Sequence, residues 1–410
     1  MGETEVPQYF LCPISLQIIQ DPVTTITGIT YDRESIEKWL NSAKGTPTCP
    51  VTKQPLPRES ELTPNHTLRR LIQSWCSANS MTGMDRLFTS SVSPPNRTEV
   101  IRLIKDLEVP RFYSRTLKKM EDLAMENDKS RAFMVEAGVA KALVGLITRC
   151  FKEGKTAGLK EALRILYLIW NSSEVIKNLV KDNQDLIESL TWALRCDHDR
   201  VDNSVTIQAH AIQVLCKAIE FSCQKQLERL RTDFFKTIVN VLKQKISQQT
   251  MKSALLILIE ACPWGRNRMG IVEAGAVFQL IELELEKPEK NITELIFNLL
   301  SQLCSSADGR SQLLKHAGGI ALLSKRIIRV SPATDDRALH ILDLISKFSA
   351  TNEVLMEMLK VGAVSKLCMV IQADCAPYLK KKARGILRMH NNVWNNSPCI
   401  AVYLLTRYPR

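Results

Sequence analysis

No two of the 12 cysteines are spaced as Cys-x-x-Cys, so paired zinc knuckles are not expected. Aromatic residues are scarce, at 6%, while Leu and Ile abound. That balance suits helix packed on helix. Glycine and proline number 16 and 17, too few for a mostly disordered chain. Apolar runs are short: Ala254–Ile259 has six residues, far below the length of about 20 that a membrane span requires. The acidic start (Glu3, Glu5) has no apolar segment behind it, so no secretory leader is expected. A reducing compartment follows, the cytoplasm first and the nucleus as the alternative. Met1-Gly2 opens like a myristoylation signal, but Val6 stands where Ser or Thr is wanted. The isolated Cys and His residues form no compact nucleophile–base set, which argues against a hydrolase.

What is present is a 410-residue chain, 45% apolar, long enough for one small domain and an extended array. The formal charge of +12 is unevenly placed. The first 79 residues carry 7 Lys/Arg against 8 Asp/Glu, so the surplus lies beyond them. A basic helical region prefers acidic partners, although a solvated Lys-rich surface produces the same excess. Most cysteines sit inside apolar helical patterns, as Cys216 and Cys304 do, and are expected to be reduced core thiols.

Residues 1–79 read as a small domain and 80–98 as a Ser/Thr/Pro/Gly linker. Ser93-Pro94 within it could take a proline-directed phosphate, or be a plain linker serine. Residues 99–390 show apolar positions three and four apart, such as Leu163, Leu166, Tyr167 and Trp170. A longer period overlies them. Ala-Gly or Val-Gly steps precede Leu-rich helices at Gly138, Gly275, Gly318 and Gly362, and the last three are 43 and 44 residues apart. The interval from Gly138 to Gly275 has room for degenerate units beginning near Asp182 and Thr232. About six repeats result, with the ~40–47-residue period of armadillo or HEAT solenoids. The basic stretch Lys380–Arg388 ends this array, and residues 391–410 read as a tail capping the last repeat.

In the small domain, Pro22–Ile26 and Ile29–Tyr31 flank Thr27-Gly28 as a hairpin. Asp32 stands at a helix N-cap position, with Ile36, Trp39 and Leu40 on one face of that helix; Asn65 is a second cap candidate. Two irregular loops, Phe10–Ile18 and Cys49–Leu56, complete a ββα unit plus a helix. Cys12, Cys49, Cys76 and His66 are too few and too far apart for two zinc sites, so hydrogen bonds and ion pairs must hold the loops. Asp21, Asp32, Arg33, Glu34 and Glu37 are available, but the pairs cannot be assigned from sequence.

Residues 9–79 resemble the U-box, the zinc-free relative of the RING domain of ubiquitin ligases. The match is carried by Phe-x-Cys-Pro-Ile-Ser at 10–15, Asp-Pro-Val at 21–23, Gly-Ile-Thr-Tyr-Asp-Arg at 28–33, Ile-Glu-Lys-Trp-Leu at 36–40, Cys-Pro-Val-Thr at 49–52 and Thr-Pro-Asn-His-Thr-Leu-Arg-Arg-Leu-Ile at 63–72. The repeats and the Trp-Asn-Asn-Ser-Pro-Cys ending at 394–399 resemble the short plant U-box/armadillo ligases. The resemblance implies a mainly α protein, an N-terminal U-box followed by an armadillo-type α-solenoid. It implies an E3 that binds a ubiquitin-charged E2, forms no covalent ubiquitin intermediate and needs no cofactor or metal. By motif match, Ile14, Leu16, Trp39, Pro50 and Val51 would form the E2 groove. Lys53 stands where this class commonly has a cation, often Arg, bridging E2 and ubiquitin. The residues themselves leave Trp39 open between core and groove, and Lys53 between linchpin and surface lysine. The concave face of the solenoid would take an acidic or phosphorylated substrate. Stress and immune signalling, and self-association through the U-box, are suggested by the resemblance alone.

A non-catalytic armadillo adaptor for acidic protein or nucleic acid is the alternative. Against it, the Trp-x-x-x-Asn ladder typical of nuclear-import armadillo proteins is absent: Trp170, Trp192, Trp264 and Trp394 are followed four residues on by Glu174, Cys196, Arg268 and Pro398. Aromatics are not interleaved with the basic runs as single-strand binding favours.

Overall fold

The computed structural model describes residues 6–42, 47–57, 62–79, 97–170, 174–181, 183–196, 201–398 and 400–401. It forms two compact units, Met1–Asn96 and Arg97–Arg410. The expected linker falls almost wholly outside the described residues, as does the end of the expected tail.

In the first unit, β1 (Pro22–Thr24) pairs antiparallel with β2 (Thr30–Asp32). The turn between them closes with Thr25 N–H on the Ile29 carbonyl at 3.0 Å and Gly28 N–H on Thr25 at 2.9 Å. Gly28 has φ +79°, a conformation a Cβ resists. Helix α1 (Arg33–Ser42) follows and buries Ile36 and Leu40. A third strand that the sequence pattern did not reveal, β3 (Thr63–Pro64), adds to the other side of β1. Two residues are too few to show alternation, and proline, lacking an N–H, is tolerated on such an edge. Helix α2 (His66–Asn79) then starts on an Asn65 cap, whose Oδ1 accepts the Leu68 N–H at 3.0 Å.

The second unit is helical throughout its described residues. It opens with α3 (Arg97–Asp106) and α4 (Tyr113–Glu126). Six three-helix repeats follow, each a short helix, a middle helix and a third. They are α5 (Asp128–Glu136), α6 (Val139–Glu153), α7 (Leu159–Ile169); α8 (Glu174–Lys181), α9 (Gln184–Arg195), α10 (Val201–Phe221); α11 (Gln224–Glu228), α12 (Thr232–Gln244), α13 (Gln248–Ala261); α14 (Gly265–Glu273), α15 (Ala276–Leu285), α16 (Lys290–Leu303); α17 (Ala307–Lys315), α18 (Gly319–Arg326), α19 (Pro332–Phe348); and α20 (Asn352–Lys360), α21 (Ala363–Gln372), α22 (Pro377–Met389). The third helices stack in one layer, α4 on α7 and so on to α22. The middle helices stack in another, from α6 to α21. Each repeat alone would leave an apolar face exposed; stacking merges them into one core running from Val100 to Trp394.

The small-residue steps seen in the sequence are the breaks between short and middle helices. Gly138, Gly275 and Gly362 have φ of +91°, +81° and +76°. Gly318 differs, with φ −92°. There the next residue needs to be glycine, because a Cβ on Gly319 would lie 2.1 Å from the Leu313 carbonyl oxygen.

Successive repeats are also stapled by polar groups. Glu284 on α15 is fully buried, and its Oε1 receives Arg326 Nε of α18 at 2.6 Å and Thr293 Oγ1 at 3.1 Å. Burial pushes this carboxyl up, and Arg326 and Thr293 oppose the shift. At the end, α23 (Asn391–Trp394) packs on α20 and α22. Trp394 is buried there, its indole N–H on the Leu355 carbonyl at 3.2 Å. In the basic stretch, Lys382 pairs with Asp336 of α19 at 3.1 Å, while Lys381 is exposed. No helix among the described residues is long and apolar enough to cross a membrane.

Candidate functional site

The two irregular loops of the first unit are one local structure used twice. Cys12-Pro13-Ile14-Ser15-Leu16-Gln17 and Cys49-Pro50-Val51-Thr52-Lys53-Gln54 correspond residue by residue. In each, the cysteine N–H donates to the glutamine carbonyl, at 2.7 and 2.8 Å, and the fifth residue's N–H returns to the cysteine carbonyl, at 2.8 and 3.0 Å. In each, the hydroxyl of the fourth residue accepts the glutamine N–H, at 3.4 and 3.5 Å. The fifth residue is left-handed in both, with φ +56° at Leu16 and +62° at Lys53. Single bridges, Leu11 to Ile18 and Thr48 to Pro55, close the ends. This equivalence was legible as Cys-Pro-x-Ser/Thr-x-Gln, but motif reading took the loops separately.

Strand β2 holds both loops. Asp32 N–H donates to Cys12 Sγ at 3.4 Å, and the neighbouring Tyr31 hydroxyl meets Cys49 Sγ at 3.0 Å. Thr27 Oγ1 at 3.3 Å and Thr52 N–H at 3.4 Å also reach Cys49 Sγ. Burial raises the Cys49 thiol, but the bonds from Thr27, Thr52 and Tyr31 outweigh it and lower the group to about 6. Burial and the adjacent sulfur push the Tyr31 phenol up. Among the described residues no cluster of His, Cys, Asp or Glu has the makings of a metal site.

Carboxylates brace the same frame. Asp32 precedes α1, as a cap should, yet its Oδ1 accepts the Gln20 and Asp21 N–H groups at 2.9 and 3.0 Å. The residue therefore turns the end of the first loop. Asp21 pairs with Arg33 Nε at 2.7 Å and lies 3.6 Å from Arg69, joining α1 and α2 to the sheet.

The residues named from sequence fall on this frame. Leu16 and Val51 are 76% and 49% exposed, large apolar side chains in water at matching loops. Ile14 is half-buried against the core and Pro50 is half-buried. Trp39 is neither wholly core nor free: it is 39% exposed, and its indole N–H donates to the Thr48 carbonyl at 3.0 Å, tying α1 to the base of the second loop. Lys53 is exposed. An apolar patch rimmed by a cation suits docking of a protein surface.

In the second unit, three successive third helices, α13, α16 and α19, line a groove of about 330 Å³ with Lys252, Asn291, Glu294, Asn298 and Arg337. Sequence reading named no residue there, because polar positions on a helix carry no periodic mark of their use.

Residues 6–81 match the U-box domain family model, and residues 99–410 match that of the plant U-box protein ARM repeat region. Three similar relatives are from Arabidopsis thaliana. E3 ubiquitin-protein ligase PUB24 is 42% identical over 99% of this chain and 96% of its own length. E3 ubiquitin-protein ligase PUB23 is 38% identical over 99% and 98%, and E3 ubiquitin-protein ligase PUB22 is 36% identical over 99% and 99%. A designed armadillo repeat protein superposes at 15% identity and a TM-score of 0.41, covering 71% of this chain and 99% of that one.

Proposed function

The chain belongs to the plant U-box E3 ubiquitin-protein ligases with an ARM repeat region, and from that membership we propose that its matched loops recruit a ubiquitin-charged E2. It is an E3 of the RING type, with no covalent ubiquitin intermediate. The observation that carries the proposal is the shared pinning of both loops by Tyr31 and Asp32. It presents Ile14, Leu16, Pro50 and Val51, with Trp39 at the base of the second loop, as a preset apolar surface that loses little entropy on binding. Lys53, at the corresponding left-handed position, supplies the cation that bridges E2 and ubiquitin. It attracts as a point charge, without the planar fork of arginine.

The test is discharge of ubiquitin from a panel of charged E2s onto free lysine. With Ile14→Ala, discharge is expected to fall at least about tenfold while the melting curve stays native. Unchanged discharge in that variant overturns the groove. Lys53→Arg is expected to speed discharge, and Lys53→Ala to slow it.

We assign substrate capture to the solenoid, on the layer of third helices, where the groove across α13, α16 and α19, mostly apolar in its exposed lining and carrying Lys252, Glu294 and Arg337, supports the reading. The charge surplus beyond the first 79 residues favours acidic or phosphorylated substrates. A cytoplasmic or nuclear role in stress and immune signalling is part of the same proposal. Fusion to a fluorescent protein and challenge of a deletion line test it. Self-association through the first unit is tested by light scattering on the full chain.

A further inference from the structure

We propose that the cleft between α18 and α21 is a phosphomonoester site that takes a phosphorylated side chain of a substrate protein. The proposal rests on the reading that the solenoid selects substrates, and it names a place and a chemistry for that selection apart from the layer of third helices.

The cleft holds about 520 Å³. Lys325 at the end of α18, Arg329 just beyond it and Lys366 in the first turn of α21 bring three cations from two successive repeats to its wall. Among the described residues no carboxylate lies within ion-pair distance of any of the three, unlike Arg326, which turns inward to Glu284. Asp335 faces Lys366, but its Oδ1 is occupied by the Ile328 N–H at 2.7 Å. Ser365 adds a hydroxyl to the lining; with Ala321, Val361 and Gly362 the exposed lining is mostly apolar.

The backbone is strained at the point that delivers Arg329. Ile328 has φ +60°, a left-handed conformation that a β-branched residue strongly resists. The Asp335 carboxylate fixes its N–H there, so the chain turns out of α18 directly before Arg329. The same left-handed residue follows other middle helices, at Gly154, Lys245 and Lys287, so the turn belongs to the repeat; at Ile328 it delivers a cation to the cleft.

Three cations with no ion pair among the described residues suit a dianion better than a single carboxylate. Guanidinium and ammonium groups together reproduce the donors that phosphate oxygens accept. No aromatic side chain lines the cleft, so it offers no platform for nucleic-acid bases. A long basic stripe would serve a nucleic-acid backbone; three cations from two successive repeats around a mostly apolar lining fit one phosphorylated serine or threonine and its neighbour.

The experiment uses the full chain and a pool of short fluorescent peptides with random flanks around a central phosphoserine or phosphothreonine. Binding is read by anisotropy against the unphosphorylated pool, with inorganic phosphate as competitor and vesicles containing phosphatidylinositol phosphates as a separate arm. The phosphorylated pool is expected to bind preferentially. Lys325→Ala, Arg329→Ala and Lys366→Ala should each weaken it roughly tenfold, and Arg329→Lys should restore part of the loss. Melting curves confirm that the variants fold. Equal binding of both pools, binding unaffected by the triple alanine variant, or binding of vesicles alone overturns the proposal. E2 discharge is read on the same proteins. A chain that discharges ubiquitin but ignores the phosphorylated pool overturns this site alone. A chain that binds the pool but supports no discharge overturns the ligase mechanism alone.

Discussion

Cys49 in the first unit and Cys304 in the second both lack exposed surface, but Cys304 lies far deeper, and their thiols move in opposite directions. Cys49 is lowered to about 6 and Cys304 is raised to about 12. Burial opposes ionisation in both. Around Cys49 three donors overcome it; around Cys304 burial dominates and Arg310 offsets only part. Cys150 and Cys262, raised by burial to about 11, behave like Cys304. The contrast separates two ways of building an interior. The first unit has a small core, and its loops are held by hydrogen bonds to sulfur, carboxylate and carbonyl atoms. The second has a continuous apolar core, in which the Glu284 carboxyl is met by Arg326 and Thr293, while single atoms such as Glu284 Oε2 and Asn267 Oδ1 lie buried with no hydrogen bond among the described residues. Loss of a partner should therefore be severe in the second unit, and graded and local in the first.

The most severe break should come from Arg326→Ala. It strands the fully buried Glu284 carboxylate, and a loss of about 3–5 kcal/mol is expected in the solenoid's denaturant transition. A loss below about 1 kcal/mol would mean that the second interior tolerates charge as the first does. Asp32→Ala comes next. Two backbone N–H groups lose their acceptor at a partly exposed site, so the first unit should weaken by about 1–2 kcal/mol, with faster hydrogen exchange at Gln20 and Asp21. A sharper comparison uses one substitution twice. Lys53 and Lys287 are both exposed and left-handed, with φ +62° and +58°. Lys53→Gly and Lys287→Gly should each stabilise their own unit by up to about 1 kcal/mol. E2 discharge should fall for Lys53→Gly alone. The smallest effect is on pH. Burial, with Arg164 beside His210 and Lys382 beside His340, lowers both histidines below their ordinary 6.5. They fold neutral, so their contribution is complete above pH 6.5 and is lost as pH falls through the depressed values. Replacing both with glutamine should flatten the acid limb of the solenoid's stability, followed by its unfolding midpoint across that range.

Much of this was legible because it is local or periodic. Glycine steps marked the breaks between helices, since a left-handed turn constrains one residue wherever it occurs. Gly318 shows the limit: the same letters at Gly318-Gly319 serve a close approach to Leu313 rather than a left-handed turn. Asp32 was read as a cap from its place before a helix, but its oxygen is spent on Gln20 and Asp21, a choice set by the returning first loop. Strand β3 and the Asp21–Arg33–Arg69 group depend on segments brought together by the whole fold, and no spacing announces them. Of the apolar residues named from the motif, Ile14, Leu16, Pro50 and Val51 lie in the two loops and Trp39 on α1. That Trp39 would bond to Thr48 required the two elements to be seen side by side.

The paired loops have one more consequence. Leu16 and Lys53 occupy the same backbone address, one bearing an oily letter and the other a charged one. Spelling is thus independent of the page on which it is written. Exchanging the two, Leu16→Lys with Lys53→Leu, should leave the main chain of both loops undisturbed while inverting which end of the proposed groove is greasy and which is cationic. For the E2 recruitment proposed above, a change of two side chains would then be enough to alter which E2 is preferred, with no new loop to invent.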